Sequence, residues 1–198
     1  MSSPAEADDV KLISSLFSAQ RDLIDCVIAN LVSRFGPPDW TSPMLPFDRT
    51  RYYAREMGWP LYRRFISFHN LIRPEQIVDI KLSTNDMEGC HLEDGRRRIN
   101  IDPGYVSLER LILATGKNYI HRIYLTKGIY ADLTLIYHKE GGFRPLDWTY
   151  RDYADPDVIA SFNHVREQYK RQLRGIPPDG VGALPTVDRH GNGRGDPL

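Results

Sequence analysis

Residues 11–18, KLISSLFS, place Ile13 and Phe17 on one side of an extended chain and Leu12 and Leu16 on the other. A strand that is apolar on both sides needs cover on both, so this segment predicts a central position in a sheet. The period then changes. Leu23, Ile24, Val27, Ile28, Leu31, Val32 and Phe35 recur at helical spacing and Gly36-Pro37-Pro38 stops the run, which predicts a helix over 19–35.

Residues 40–47 are extended but carry Pro43 and Pro46, which cannot donate to a ladder, so they read as an edge strand or a loop. Residues 49–60 read as a short helix or turn around Tyr52, Tyr53 and Glu56, and 65–68 as a short strand. The stretch 74–92 leans helical, with Pro74 suited to a first helical position, and 98–101 is a further strand. Strand, helix, strand, strand, helix, strand is the order of the split βαβ, or ferredoxin-like, unit. In that topology strand 11–18 lies between strands 65–68 and 98–101, and both helices share one sheet face.

Beyond that unit, Ser107 can cap a helix over 108–115, and Asp155-Pro156 opens a helix with Val158, Ile159, Phe162, Val165 and Tyr169 on one stripe. Residues 120–138 form a hairpin. A three-residue connection, Thr126-Lys127-Gly128, pairs Leu125 with Ile129, Ile123 with Ala131 and His121 with Leu133 on an apolar face. Tyr124 then meets Tyr130, and Arg122 meets Asp132, on the other face. The expected fold class is α+β: a ferredoxin-like unit extended by a further helix, a β-hairpin and a C-terminal helix. Its sheet is mainly antiparallel, with helices largely on one face.

The chain has 198 residues, enough for one generous domain, and 41% hydrophobic residues, enough for a core. The expected domain spans 10–174, between a disordered N-terminus at 1–9 and a disordered tail at 175–198. That tail is dense in glycine and proline and offers little apolar surface to offset its ordering entropy. The opening MSSPAEADD is unlike a signal peptide, and no apolar run reaches the roughly 18 residues a membrane helix needs. Cys26 and Cys90 have no CxxC or framework spacing, so free thiols in a reducing cytoplasm are expected. A formal net charge of +0 lacks the strongly basic balance of a dedicated nucleic-acid domain.

The segments RRRINIDPGY (96–105), HRIYLTKGIYADLTLIY (121–137) and PLDWTYRDY (145–153) together resemble an uncharacterised bacterial family defined as a domain of unknown function. KLISSLFS, FGPPDW, LPFDRTRYYAREMG (45–58) and RRFISF (63–68) extend the resemblance over nearly all of 11–170. Some members carry a GTP-binding label, but the resemblance implies no activity, substrate, cofactor or catalytic residue. The residues do not form a P-loop: Gly116-Lys117 is followed by Asn118, and Leu111 stands where the first glycine belongs. Asp86-Met87-Glu88-Gly89 matches D-x-x-G, a pattern short enough to arise by chance, and no N-K-x-D segment occurs.

Chemistry concentrates in two basic stretches. Arg96, Arg97, Arg98, Arg110, Lys117, Arg122 and Lys127 are opposed between 95 and 130 only by Asp102 and Glu109. Arg49, Arg51, Arg55, Arg63 and Arg64 form the second. Arginine can grip phosphate or carboxylate in a fork, and tyrosine hydroxyls can fix its orientation. The expected site therefore takes a small anionic ligand, as a binding site or an enzymatic one, on Asp102, His121, Arg122, Lys127 and Tyr130. The same charges equally read as a solvated surface with ion pairs to Asp48, Glu56 and Asp132. The rival function is a non-catalytic module whose arginine- and tyrosine-rich face binds RNA or a protein. Asp102-Pro103-Gly104 reads as a type II turn. His69 and His138 lack partners at metal-ligand spacing, so no metal is expected, and no nucleophile elbow occurs.

Overall fold

The computed structural model describes residues 3–176, so the expectation for the tail lies outside the described residues from 177 onward. In chain order the elements are β1 (Val10–Ser18), α1 (Arg21–Phe35), β2 (Pro38–Thr41), β3 (Leu45–Pro46), α2 (Ala54–Met57) and β4 (Tyr62–Ile72). A 3-10 turn at Pro74–Gln76 leads into α3 (Ile77–Gly89), followed by β5 (Leu92–Glu93), β6 (Arg96–Arg97), β7 (Asn100–Val106) and β8 (Arg110–Thr115). The rest comprises β9 (Arg122–Thr126), β10 (Ile129–His138), β11 (Gly142–Pro145) and α4 (Pro156–Leu173). The architecture is α+β, with a main sheet whose described ladders are all antiparallel.

β1 is buried along its whole length and pairs with β4 on one side and β7 on the other, in the sheet order β11-β10-β8-β7-β1-β4-β2. Its two apolar sides serve two layers. Leu12 and Leu16 join Ile24, Val27 and Leu31 of α1 and Ile77, Val78 and Ile80 of α3 in one core. Ile13 joins Phe65 and the Val158, Phe162 and Val165 stripe of α4 in another. Helices α1 and α3 thus share a face, as the split βαβ order predicts, while α4 covers the opposite one. The proline-bearing strands β2 and β3 pair only with β4, at the sheet's edge.

Two local expectations on β7 and β8 are corrected. Residues 110–115 form a strand, not a helix: Leu111, Ile112, Leu113 and Ala114 are buried in succession between β7 and β10. A short apolar run carries no period that separates buried strand from helix. Ser107 still caps, but it closes the β7–β8 turn by accepting from the N–H groups of Glu109 and Arg110. Asp102-Pro103-Gly104 is strand rather than turn, paired with Ser15, Ser14 and Ile13 of β1. The β7–β8 ladder begins only at Gly104, so Pro103 lies just beyond its end and interrupts no β8 pairing.

The hairpin register holds from Tyr130 onward, with Tyr124 opposite Tyr130, Ile123 opposite Ala131 and Arg122 opposite Asp132. At the turn it differs. Lys127 and Gly128 both have positive φ, forming a two-residue connection closed by Thr126 and Ile129, and a register shift beyond it absorbs Leu125. The supposed apolar face of β9 is also exposed, Ile123 at 69%, because β9 contacts the sheet only through β10.

Candidate functional site

β7 and β8 pair over Gly104–Val106 and Leu111–Leu113, and no further toward the start of β7. Gly104 marks the parting point: a Cβ there would lie 2.3 Å from the Ile112 carbonyl oxygen, so only glycine permits the close approach. Past it, Asn100 and Asp102 on one strand and Ala114–Lys117 on the other line a cleft of about 640 Å³. α3 supplies Lys81, Asn85 and Glu88, spaced to fall on one side of a helix. β4 contributes Arg63, β10 contributes Asp132, and the segment before α4 contributes Tyr150, Asp152 and Tyr153. Phe17, Phe47 and Tyr53 form an aromatic wall.

On the α3 side the charged groups are linked in series. Lys81 donates to the Ile101 carbonyl at 2.8 Å and lies 3.4 Å from Asp102 Oδ1, while Asn100 Nδ2 donates to Asp102 Oδ2 at 2.7 Å. Arg97 donates to Asn100 Oδ1 at 2.9 Å and grips both oxygens of Glu56 at 2.7 and 2.9 Å. Glu88 accepts from the Ile101 N–H at 2.6 Å. Burial pushes the Glu88 carboxyl up, against the pull of Lys81 and Arg97, whereas the Arg97 fork holds that of Glu56 down.

The opposite side is arranged differently. Arg122 donates to Asp132 at 2.8 Å, to the Lys117 carbonyl at 2.9 Å and to the Tyr150 hydroxyl at 2.8 Å. Buried Arg63 ion-pairs with Asp152 and lies within 5.6 Å of the ring centroids of Phe17, Phe47, Phe65 and Tyr153. Burial pulls Arg63 down and pushes Tyr153 up, and the same cause raises Tyr53 to about 12, helped by Asp102. Tyr53 and Tyr153 therefore stay protonated near neutrality. Asp102, two-thirds buried and held at both oxygens, presents its remaining lone pairs to the cleft, where it can accept a hydrogen bond from a ligand donor.

Of the five residues expected to form the site, Asp102 and Arg122 line the cleft. His121 lies one step behind it: Nε2 is 3.4 Å from Asp132, and the ring stacks on Trp148 at 5.2 Å. Lys127 instead pairs with Asp79 on the exterior at 2.7 Å, and Tyr130 packs edge-on against Tyr124. The second basic stretch disperses too. Arg49 pairs with Asp155, Arg64 with Asp25, and Arg51 covers Trp59, leaving Arg63 inside the cleft.

Sequence reasoning missed Lys81, Glu88 and Asn100, and it named Arg63 only as one member of the second basic stretch. The i, i+4, i+7 spacing of Lys81, Asn85 and Glu88, which puts them on one side of the helix, was the available signal for the α3 residues. Among the described residues no group of three or more side chains is arranged to hold a metal ion, and none of the described helices is long and apolar enough to cross a membrane. A family model described as Domain of unknown function (DUF4416) matches residues 8–169. No curated protein and no solved structure matches the chain.

Proposed function

The chain belongs to the DUF4416 family, a domain of unknown function, and from the cleft itself we propose that it binds a small anionic ligand. One observation carries the reading: charged side chains from separate elements converge on a cleft of ligand size, and one cation there has no carboxylate partner among the described residues. Arg63, Arg97 and Arg122 are each bound to a carboxylate, and Lys81 is close to one, whereas the exposed Lys117 has its ammonium 5.8 Å from the Tyr52 ring centroid and no ion pair among the described residues. Lys117 takes the place of Lys127 and Tyr130 as the group facing the anion, with Arg122 beside it. Asp102, held by Lys81 and Asn100, is the group through which the same site would act on a bound hydroxyl.

We read strands β2, β4, β1 and β7 with α1 and α3 as a ferredoxin-like unit whose added strands β8 and β10 build the far wall. Two exposed free cysteines suit a reducing cytoplasm. A thermal-shift screen of nucleotides, phosphosugars and organic acids, run beside short RNAs, tests the function, since a ligand of the native state raises its stability. An anion in the cleft raises the melting temperature of the parent protein and not of Lys117→Ala. A shift that survives in Lys117→Ala refutes the assignment.

The rival reading, a protein-binding module, rests on Ile120, Ile123 and Tyr124, exposed at 94%, 69% and 57% beside the outer strand β9. It requires Ile123→Lys to abolish an association that light scattering detects in the parent.

A further inference from the structure

Resting on the anion site just proposed, we infer that its ligand is a phosphorylated polyol of the sugar-phosphate kind, held with phosphate at the Lys117 rim and hydroxyls at Asp102. The cleft has two chemically different ends. At the rim, Thr50 Oγ1 accepts from the Tyr52 N–H at 3.1 Å and Thr115 Oγ1 accepts from the Lys117 N–H at 3.2 Å. Each hydroxyl already serves as an acceptor to the backbone, which leaves its own proton to donate. Thr50, Thr115 and Lys117 all line the cleft, so the rim combines one cation with two hydroxyl donors. Glu56, which feels the Lys117 charge, has both oxygens committed to Arg97.

The type of cation distinguishes phosphate from carboxylate. Planar, two-point recognition of a carboxylate needs an arginine fork, and each arginine of this cleft is already ion-paired, Arg97 with Glu56, Arg122 with Asp132 and Arg63 with Asp152. The cleft cation without an ion pair among the described residues is a lysine, a point charge that suits a tetrahedral anion approached from any side.

Deeper in, the chemistry reverses. Asp102 is negative and repels a second anion, but its carboxylate accepts from hydroxyls. The Tyr150 hydroxyl accepts from Arg122, so its proton is available to donate, and Tyr53 keeps its own proton. Alternating acceptors and donors of this kind match a chain or ring of hydroxyl groups. A plain dicarboxylate would bring one of its charges against Asp102.

Isothermal titration of the full chain with ribose 5-phosphate, glucose 6-phosphate and glycerol 3-phosphate is the test, against the parent polyols, inorganic phosphate and succinate. At least one phosphorylated compound should bind tenfold or more tightly than its parent polyol and than inorganic phosphate. Lys117→Ala should reduce it to the affinity of the parent polyol. Asp102→Asn should weaken it about tenfold without changing the weak binding of inorganic phosphate. Lys117-dependent binding of succinate or inorganic phosphate that equals or exceeds every sugar phosphate overturns this inference and leaves the anion site standing. Failure of these compounds and of the whole anion screen overturns both.

Discussion

Helices α1 and α3 lie on the same sheet face, yet they bury opposite kinds of side chain. α1 packs against β1 and β4, where the ladder is closed, and its inward residues are Ile24, Val27 and Leu31. α3 packs against β7 and β8, and its first turn is equally apolar at Ile77, Val78 and Ile80. Farther along it buries Lys81, Thr84 and Glu88 where those strands part. The contrast teaches that the helix–sheet layer is apolar where the sheet is continuous and polar where a cleft interrupts it. Burial alone does not distinguish the two, because Leu31 and Thr84 are both 0% exposed.

The largest expected effect falls on the structural helix. Leu31→Ala should cost about 3 kcal/mol, because the lost side chain leaves a cavity in a fully buried site. Urea denaturation measures it, and ligand-induced stabilisation should survive. If the ligand response disappears with Leu31, α1 is not merely a support and the comparison breaks.

Glu88→Ala should cost about 2 kcal/mol, since it removes the acceptor for the buried Ile101 N–H. Glu88→Gln should recover more than half of that, because an amide oxygen can take the same bond. Equal losses in the two variants would mean that the carboxylate's charge, not its hydrogen bond, is what α3 contributes.

The same carboxyl gives a pH test of smaller size. Burial raises it in the folded state, so the native protein holds that proton more tightly than the unfolded chain does. Its stabilising contribution is therefore complete below the unfolded value of about 4.3 and is lost as pH rises through the folded value. Glu88→Gln should flatten this part of the fall in stability above about pH 4, measured by urea denaturation at successive pH values. An unchanged slope would place the titrating group elsewhere.

The smallest effect is expected at Lys127. Its partner Asp79 is on the outer surface of α3, so Lys127→Ala should change stability by less than about 0.5 kcal/mol. It should also leave ligand binding untouched, in contrast to Lys117→Ala. Loss of binding in Lys127→Ala would return the site to the hairpin.

Much of the fold was legible because period reports burial directly. The two-faced apolar run of β1, the stripe of α1 and the Asp155-Pro156 start of α4 each carry enough residues to specify an element and its inward side. The candidate site was legible only at Asp102 and Arg122. Adjacent cations in sequence looked like a cluster, but alternation along β9 and β10 sends neighbours to different surfaces. Arg122 turns into the cleft while Lys127, at the hairpin turn, reaches across to Asp79.

The sequence by itself determined that β1 is central, that the prolines of 40–47 exclude a central strand there, and that α1 and α4 are helices. Those properties depend on local dihedral preference and on apolar spacing within one segment. Tertiary structure alone decided that Asp102-Pro103-Gly104 runs straight as a strand, that residues 110–115 extend instead of coiling, and that Lys81, Glu88 and Arg63 face one cleft. Each of those outcomes depends on a partner far along the chain. β1 holds Asp102 in line opposite Ser15, and β10 and β7 flank β8. The charge of each arginine, finally, is directed by whichever carboxylate the fold brings within reach, and sequence separation carries no information about that distance.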